Sequence, residues 1–177
     1  RATMLNRSYL FIPGDSEKKL GKAQDLGADA LILCLEDAVA EPNKGKARQL
    51  TKDYLHSHRG STASELWVRV NAPETEHMLA DLLAIMPGSP TGTFLPKPGC
   101  GEDIRTVDHY LTILEQQNDI ELGSTKILSL AESALGAVNI PSFVNVSKRL
   151  CAITWGAEDM ATDLGALTNV DENGEYF

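Results

Sequence analysis

Acidic residues follow three apolar segments of this sequence, at the point where each segment ends. Glu36 and Asp37 come directly after the run ALILCL, and Glu132 directly follows KILSLA. Glu158 and Asp159 lie just beyond a third run, LCAITWG. Carboxylates that gather at one place repel one another and raise one another's pKa unless a cation lies among them. The pattern therefore predicts an acidic site that a bound cation would stabilise.

Oxygen ligands of this kind indicate Mg²⁺ or Mn²⁺ rather than Zn²⁺. The four histidines fall within segments that have a helical pattern, away from these acids: His56, His58, His77 and His109. We therefore predict Mg²⁺ bound by two carboxylates, with open positions at which the hydroxyl and carboxylate of a substrate could bind. Arg69 lies near the end of a fourth apolar run, LWVRV, and could hold the substrate carboxylate through two parallel hydrogen bonds.

Each of these residues also has a purely structural interpretation. An acid such as Glu132 stabilises the first turn of a helix through the helix dipole, and Arg69 alone could form an ordinary ion pair. Lys97, which lies between two prolines, could be an exposed loop residue. Cys34 and Cys151 lie in apolar runs, where packing in the core is the expected role. The functional interpretation depends on the coincidence of all the charged residues at the ends of strands.

Six apolar segments alternate with segments that have a helical pattern, which is typical of parallel βα units. Strands are predicted over 8–12, 30–36, 66–70, 92–97, 126–132 and 150–156. Helices are predicted over 16–26, 44–58, 74–86, 102–117 and 135–146, with a last one beginning near 159. This alternation fits an open doubly wound sheet or a (β/α)8 barrel cut short. In both folds ligands bind at the carboxyl ends of the strands, which is where the charged residues fall.

Composition and charge limit the classes of protein to which this chain can belong. The 177 residues, 42% of them apolar, are enough for one domain, over 1–177. A net charge of −9 argues against a nucleic-acid partner, and no apolar run is long enough for a membrane span or a signal peptide. The three cysteines form no CxxC pair, which favours a reducing cytoplasm.

Five segments of the sequence point to one family. They are, in order, RSYLFIPGDSEKKLGKAQDLGADALILCLEDAVA, LWVRVN, FLPK, LAESALG and WGAEDMATDLGA. This combination resembles the citrate lyase β-subunit family within the HpcH/HpaI aldolase superfamily, over residues 7–166. The resemblance implies a TIM (β/α)8-type barrel, which in this chain would be truncated after about six βα units. It also implies a homo-oligomer, either a trimer or a hexamer.

The resemblance implies an activity as well. Members are carbon–carbon lyases that need Mg²⁺ and reversibly cleave 3-hydroxycarboxylate acyl thioesters, such as citryl, malyl or citramalyl thioesters. The carrier is coenzyme A or an acyl-carrier protein, and the products are an acyl thioester and a keto acid. Truncation of the barrel could impair this activity. Two other functions stay open: a non-catalytic subunit that binds a thioester or a partner, and a class II pyruvate-type aldolase.

By position, the resemblance assigns Glu132 and Asp159 as the two ligands of Mg²⁺. Arg69 would bind the carboxylate and the thioester oxygen of the substrate, and Glu36 and Asp37 would orient water bound to the metal. The coenzyme A side of the site is predicted to contain the following residues: Phe11, Pro13, Gly14, Lys22, Pro96 and Lys97. The lysines of that set would offset the negative net charge, which otherwise repels an anionic substrate.

The sequence departs from the family pattern at several positions, and two of these departures bear on the charge of the predicted site. Cys34 replaces an acid that commonly stands in the second strand, and this replacement would remove one negative charge from the interior of the barrel. Ser16 stands where many members have an arginine after the sequence PGD. That change would weaken the predicted attraction for the phosphates of coenzyme A.

Overall fold

A computed structural model describes residues 6–60 and 63–176 and contains a six-stranded parallel sheet. The strands are β1 (Tyr9–Pro13), β2 (Ala30–Cys34), β3 (Glu65–Arg69), β4 (Gly92–Leu95), β5 (Lys126–Leu130) and β6 (Leu150–Thr154). Each strand pairs with the next one along the chain. A doubly wound sheet reverses its strand order at a switch point, so the observed order favours the wall of a barrel. In the described residues β1 and β6 do not pair, and the sheet is not closed.

The predicted alternation of parallel strands and helices is confirmed, but three helices are shorter than predicted. The helices are α1 (Glu17–Leu20), α2 (Lys44–His58), α3 (Met78–Ile85), α4 (Gly101–Gln117), α5 (Ala134–Val138) and α6 (Ala157–Asp163). The predicted helix over 16–26 divides at Gly21, and the one over 135–146 ends before Pro141. Proline has no N–H for the helical hydrogen bond, which explains the second break. No helix in the described ranges is long and apolar enough to cross a lipid bilayer.

The two faces of the sheet have different surroundings. Alternation along β2 turns Leu31 and Leu33 towards the helices, where they join the main apolar core, and Ile32 towards the opposite, inner face. The buried cluster on the inner face consists of Ala30, Ile32, Trp67, Phe94, Leu128 and Leu130. At the carboxyl ends of β2 and β3 the inner face becomes polar, because Cys34 and Arg69 lie side by side in the strand register. The sheet therefore places a polar edge above an apolar floor.

Cys34 and Cys151 differ in burial although both lie in apolar strands. Cys34 is fully buried, as its predicted role in the core requires, whereas Cys151 is exposed on β6. The prediction for Cys151 is wrong because β6 lies at an edge of the described sheet, where it pairs with β5 only. A side chain of an apolar strand is thus buried only where a neighbouring element packs against it.

Candidate active site at the carboxyl ends of the strands

Five of the predicted site residues meet at the carboxyl edge of the sheet. Glu36 follows β2, and its two carboxylate oxygens lie 3.1 Å from Arg69 Nη1 and 2.8 Å from Lys97 Nζ. Lys97 Nζ also lies 3.1 Å from Asp37 Oδ2 and 3.4 Å from Asp159 Oδ1. Residues that are far apart in the sequence therefore form one charged cluster, in which an arginine and a lysine face three carboxylates.

Lys97 owes its position to an unusual main-chain conformation. It follows β4 between Pro96 and Pro98, and its φ of 51° lies in the left-handed region, which costs energy for a residue other than glycine. Burial disfavours the charged form of Lys97, but hydrogen bonds to Glu36 and Asp37 outweigh burial and raise its pKa above the usual range. The ammonium group therefore stays charged and neutralises the acids around it.

Arg69 is held in one orientation by several contacts. Its guanidinium carbon lies 4.8 Å from the centre of the Phe11 ring, a cation–π contact, and Nε donates a hydrogen bond to Cys34 Sγ at 3.2 Å. Phe11 in turn packs edge-on against Phe94, with ring centres 5.4 Å apart. Cys34 thus accepts a hydrogen bond from Arg69 without placing a second carboxylate beside Glu36. These contacts fix the guanidinium group before any substrate binds.

Glu132 is the least satisfied acid of the site. It follows β5, is only 2% exposed, and its Oε1 has no hydrogen-bond partner among the described residues. Burial, followed by the negative charges of Asp159 and Glu36, raises the pKa of Glu132 to about 7. Gly156 leaves room for this side chain, since a Cβ there would lie 2.7 Å from Glu132 Oε2. The charges of Lys97 and Arg69 lower the pKa of Glu132 but do not outweigh its burial and the neighbouring acids, so that a bound cation would stabilise this carboxylate.

Glu132 and Asp159 line the same cleft, whose volume is about 610 Å³. In the part of the chain that the structure describes, no three acids, histidines or cysteines converge as a complete metal-binding group. Mg²⁺ does not need such a group, because it commonly keeps several waters and binds through one or two carboxylates. Two carboxylates in one cleft, one of them with an unpaired buried oxygen, therefore fit Mg²⁺ as ligands.

A sequence profile of the HpcH/HpaI aldolase/citrate lyase family matches residues 7–176. This chain belongs to that family. Over 160 residues it is 36% identical to the citrate lyase subunit beta of Haemophilus influenzae, and the alignment covers 90% of this chain and 55% of that protein. Over 166 residues it is 34% identical to a (3S)-malyl-CoA thioesterase of Cereibacter sphaeroides, with coverages of 90% and 52%.

The fold is also similar to a solved structure, that of protein CitE from Mycobacterium tuberculosis in complex with magnesium, acetoacetate and coenzyme A. The TM-score is 0.74 at 30% sequence identity, and the match covers 95% of this chain and 55% of that chain. The chain spans about half the length of the curated relatives that it matches. The family resemblance predicted from the motifs is confirmed.

Three residues of this family member that were predicted on the coenzyme A side line one groove. Phe11, Pro13 and Lys22 border a cavity of about 480 Å³ beside β1. Lys18 and Lys19 of α1 line the same cavity, so the groove combines an apolar floor with three lysines. This composition suits an anionic thioester carrier, and direct binding of coenzyme A by these residues stays a prediction.

The other three residues predicted on that side lie elsewhere. Gly14 is buried and so close to the main chain of β2 that a Cβ would lie 2.8 Å from a carbonyl oxygen. Pro96 is buried as well, and Lys97 is directed at the carboxylates. Gly14 and Pro96 therefore shape the main chain, and Lys97 belongs to the acidic cluster. Contact of these three residues with coenzyme A also stays a prediction.

Two buried charged residues that lie behind the site, Lys44 and Asp81, were not predicted from the sequence. Lys44 is the first residue of α2, where the positive end of the helix dipole repels a cation. One turn later, Arg48 Nε donates a hydrogen bond to Asp81 Oδ1 at 2.7 Å. The helical pattern contains the signal, because Lys44 and Arg48 fall on the same side of α2 as the buried Ala47 and Thr51. Charged residues on the buried face of a helix indicate buried polar contacts.

Proposed function

We propose that the protein is a Mg²⁺-dependent carbon–carbon lyase that cleaves a 3-hydroxycarboxylate acyl thioester of the citryl, malyl or citramalyl type. One observation carries the proposal: the buried Glu132 carboxylate, with its unpaired oxygen, shares a cleft with Asp159 beside the cluster of Arg69, Glu36 and Lys97. The name of the Haemophilus influenzae relative, citrate lyase subunit beta, supports the reaction class. The magnesium, acetoacetate and coenzyme A in the Mycobacterium tuberculosis structure support the ligands.

Glu132 and Asp159 would hold the Mg²⁺, which when bound supplies Lewis-acid polarisation of a substrate oxygen. Arg69 would hold the substrate, because its planar guanidinium group donates two parallel hydrogen bonds to a carboxylate, or one to a thioester oxygen. Glu36 and the Phe11 ring already fix Arg69. Little side-chain entropy is therefore lost when a substrate binds.

Cleavage begins when the 3-hydroxyl group loses its proton and becomes the carbonyl of the keto acid. The bond between the α and β carbons breaks, and its electron pair passes to the thioester carbonyl as an enolate, which then takes up a proton. Arg69 would donate hydrogen bonds to the oxygen on which this negative charge develops. Burial raises the pKa of Asp37, but the hydrogen bond and charge of Lys97 lower it overall, so that this acid stays a hydrogen-bond acceptor.

We infer the barrel type, the oligomeric state and the cellular compartment from the same family. The order of the strands supports the wall of a (β/α)8-type barrel, with residues 1–177 in one domain. We propose a cytoplasmic homo-oligomer, either a trimer or a hexamer, whose substrate is an acyl-CoA or acyl-carrier thioester. Analytical ultracentrifugation tests the assembly, and a monomer at the concentrations used for activity would contradict it.

The decisive experiment is incubation of the purified protein with citryl-, malyl- and citramalyl-CoA in the presence of Mg²⁺. The lyase proposal predicts equal amounts of acetyl-CoA and keto acid from one of these substrates, and none when EDTA is present. Binding of the thioesters without turnover would favour a non-catalytic subunit. Cleavage of a keto-acid aldol adduct that carries no thioester would favour a class II aldolase.

Thioester hydrolysis is a second candidate function, because the relative from Cereibacter sphaeroides is named a (3S)-malyl-CoA thioesterase. Hydrolysis breaks the carbon–sulfur bond and releases malate and free coenzyme A, whereas the lyase reaction breaks the carbon–carbon bond and releases glyoxylate and acetyl-CoA. A thiol reagent detects free coenzyme A but not acetyl-CoA. The lyase proposal therefore predicts glyoxylate from malyl-CoA without a matching release of thiol.

A further inference from the structure

Lys44 lies behind the candidate active site. Its side chain is buried, and Nζ donates hydrogen bonds to Asn71 Oδ1 at 2.7 Å and to the carbonyl oxygens of Leu35 and Glu36 at 2.8 and 3.0 Å. An ammonium group has three donors, so these contacts occupy all of them. Lys44 therefore has no donor left with which to bind a substrate.

Asn71 extends this contact to α3. Its side-chain nitrogen donates hydrogen bonds to the Leu35 carbonyl oxygen at 3.1 Å and to Asp81 Oδ2 at 2.6 Å. Asp81 is fully buried and accepts further hydrogen bonds from the main-chain N–H of Asn71 at 2.8 Å and from Arg48 Nε at 2.7 Å. A continuous network of buried polar groups thus ties α2 and α3 to the turn after β2.

The turn held by this network carries Glu36. The carboxylate of Glu36 lies 3.1 Å from Arg69 Nη1 and 2.8 Å from Lys97 Nζ. The Leu35 N–H also donates a hydrogen bond to the Arg69 carbonyl oxygen at 2.9 Å, which joins the main chains at the ends of β2 and β3. A rotation of the main chain at Glu36 would therefore move its carboxylate away from both cations.

A buried lysine at the first position of a helix is unfavourable in two ways. Burial removes the ammonium group from water, and the positive end of the helix dipole repels it. An apolar side chain of similar length would avoid both effects, so that packing of α2 alone does not account for Lys44. An apolar side chain could not, however, hold the two carbonyl oxygens of the turn that carries Glu36.

We propose that Lys44 is a positioning residue, which fixes the main chain at Leu35 and Glu36 and thereby places the Glu36 carboxylate between Arg69 and Lys97. The kinetic consequence of this role rests on the proposed lyase function. Glu36 in turn orients Arg69, the group that would contact the substrate. Loss of Lys44 therefore reduces catalysis through Glu36, without removing any group that touches the substrate.

Lys44→Met tests the proposal, because methionine keeps most of the length of the side chain and removes all three donors. Lys46→Met is the matched control, since Lys46 lies on the same helix with a side chain that is 58% exposed. We expect kcat/KM for thioester cleavage to fall about 10–100-fold in Lys44→Met. In Lys46→Met we expect it to stay within about twofold of the wild-type value.

A double-mutant cycle with Glu36→Gln separates positioning from a general loss of stability. If Lys44 acts through Glu36, then Lys44→Met has little further effect once Glu36 is replaced, whereas a merely structural role gives the same fold-loss in both backgrounds. Crystal structures give a second readout that does not depend on turnover. In Lys44→Met we expect the distances from the Glu36 carboxylate to Arg69 and Lys97 to exceed about 4 Å, beyond the range of an ion pair.

A Glu36 carboxylate that stays in place in Lys44→Met would overturn the proposal. Equal fold-losses of kcat/KM on replacing Lys44 in the wild-type and Glu36→Gln backgrounds would overturn it as well. If Lys44→Met does not fold, Lys44→Gln is measured in the same way, and its single amide donor group is expected to give a smaller displacement of Glu36. If the wild-type protein cleaves no thioester, the lyase function fails. The position of Glu36 in the variant crystals still decides whether Lys44 positions it.

Discussion

Charged residues lie at both ends of the sheet, and the two groups differ in how completely they are paired. At the amino end, Arg149 precedes β6 and donates hydrogen bonds to Asp108 at 2.6 Å and to both oxygens of Glu115 at 2.6 and 2.7 Å. Glu115 also accepts hydrogen bonds from the main-chain N–H groups of Gly123 and Thr125 at 2.7 and 2.8 Å. Both oxygens of this buried carboxylate are therefore satisfied.

At the carboxyl end, Glu132 is also buried, but one of its oxygens has no partner in the described ranges. Burial by itself favours a raised pKa at both acids, but the net shifts are opposite. At Glu115 the hydrogen bonds from Arg149 and the main chain outweigh burial and lower the pKa to about 2, whereas at Glu132 the pKa rises to about 7. A paired acid stabilises the fold, and an unpaired buried acid indicates a functional site. The partners of a buried acid, rather than its burial, distinguish the two roles.

Of the variants considered, Glu132→Gln is expected to have the largest effect on activity, and it tests the carboxyl end of the sheet. Thioester cleavage should fall to background, because a neutral amide oxygen binds Mg²⁺ far more weakly than a carboxylate does. Mg²⁺ should raise the melting temperature of the wild-type protein but not that of the variant, since a ligand stabilises only a state that binds it. Differential scanning fluorimetry measures this shift, with Glu121→Gln on an exposed turn as the control. An equal response in Glu132→Gln would remove Glu132 from the metal site.

At the opposite end of the sheet, Arg149→Met should reduce stability. The variant leaves the Glu115 carboxylate buried without its cation, which is expected to lower the unfolding free energy by about 3–5 kcal/mol. Urea unfolding measures this loss. Arg105→Met is the control, because Arg105 pairs with Glu102 at 3.4 Å on the exposed side of α4 and should contribute less than about 1 kcal/mol. Similar losses in the two variants would mean that the buried network does not stabilise the fold.

The sequence predicts much of the candidate site, because the carboxyl ends of parallel strands must lie at one edge. Glu36, Arg69 and Glu132 follow from this rule once their strands are recognised. The direction of Lys97 does not follow from it, because a φ of 51° between two prolines depends on tertiary contacts. Lys44 is missed for a related reason: its three acceptors lie on the ends of two strands, and only the packed structure brings them to α2.

In the fold too, features with a local cause could be predicted from the sequence, and features that depend on tertiary contacts could not. Alternating apolar and helical segments predict parallel βα units, and α2 and α4 lie within a residue of the predicted 44–58 and 102–117. The break at Pro141 has a local cause, the missing N–H of proline, and was therefore open to prediction. The exposure of Cys151 was not, because it depends on the position of β6 at the edge of the sheet.

Arg69→Lys tests whether geometry or charge matters at the carboxyl end. Lysine keeps the positive charge but loses the planar group that contacts Cys34 Sγ and Glu36 at the same time. We expect kcat/KM for thioester cleavage to fall about 100-fold, as for the loss of a hydrogen-bond donor to a developing oxyanion. Unfolding in urea should change little, in contrast to Arg149→Met. Turnover at the wild-type rate would leave Arg69 with a structural role only.

Mild acid should have the smallest effect, and it tests the amino end of the sheet. Because the pKa of Glu115 is lowered from 4.5 to about 2, its stabilising contribution is complete above the unfolded value and is lost as the pH falls towards the folded value. From about pH 5 to about pH 3.5 this loss amounts to roughly 1 kcal/mol of unfolding free energy. Other acids contribute to the same slope, so the useful quantity is the difference between the wild-type protein and Glu115→Gln in urea at both pH values.

That difference isolates Glu115 because every other acid is present in both proteins. Glu132 in particular acts in the opposite sense: its raised pKa means that acid relieves an unfavourable buried charge, and this relief is the same with or without Glu115. Glu115→Gln should therefore lose roughly 1 kcal/mol less than the wild-type protein over this interval. Equal losses would mean that Arg149 and the main-chain N–H groups do not hold the pKa of Glu115 down, and the contrast between the two ends of the sheet would disappear.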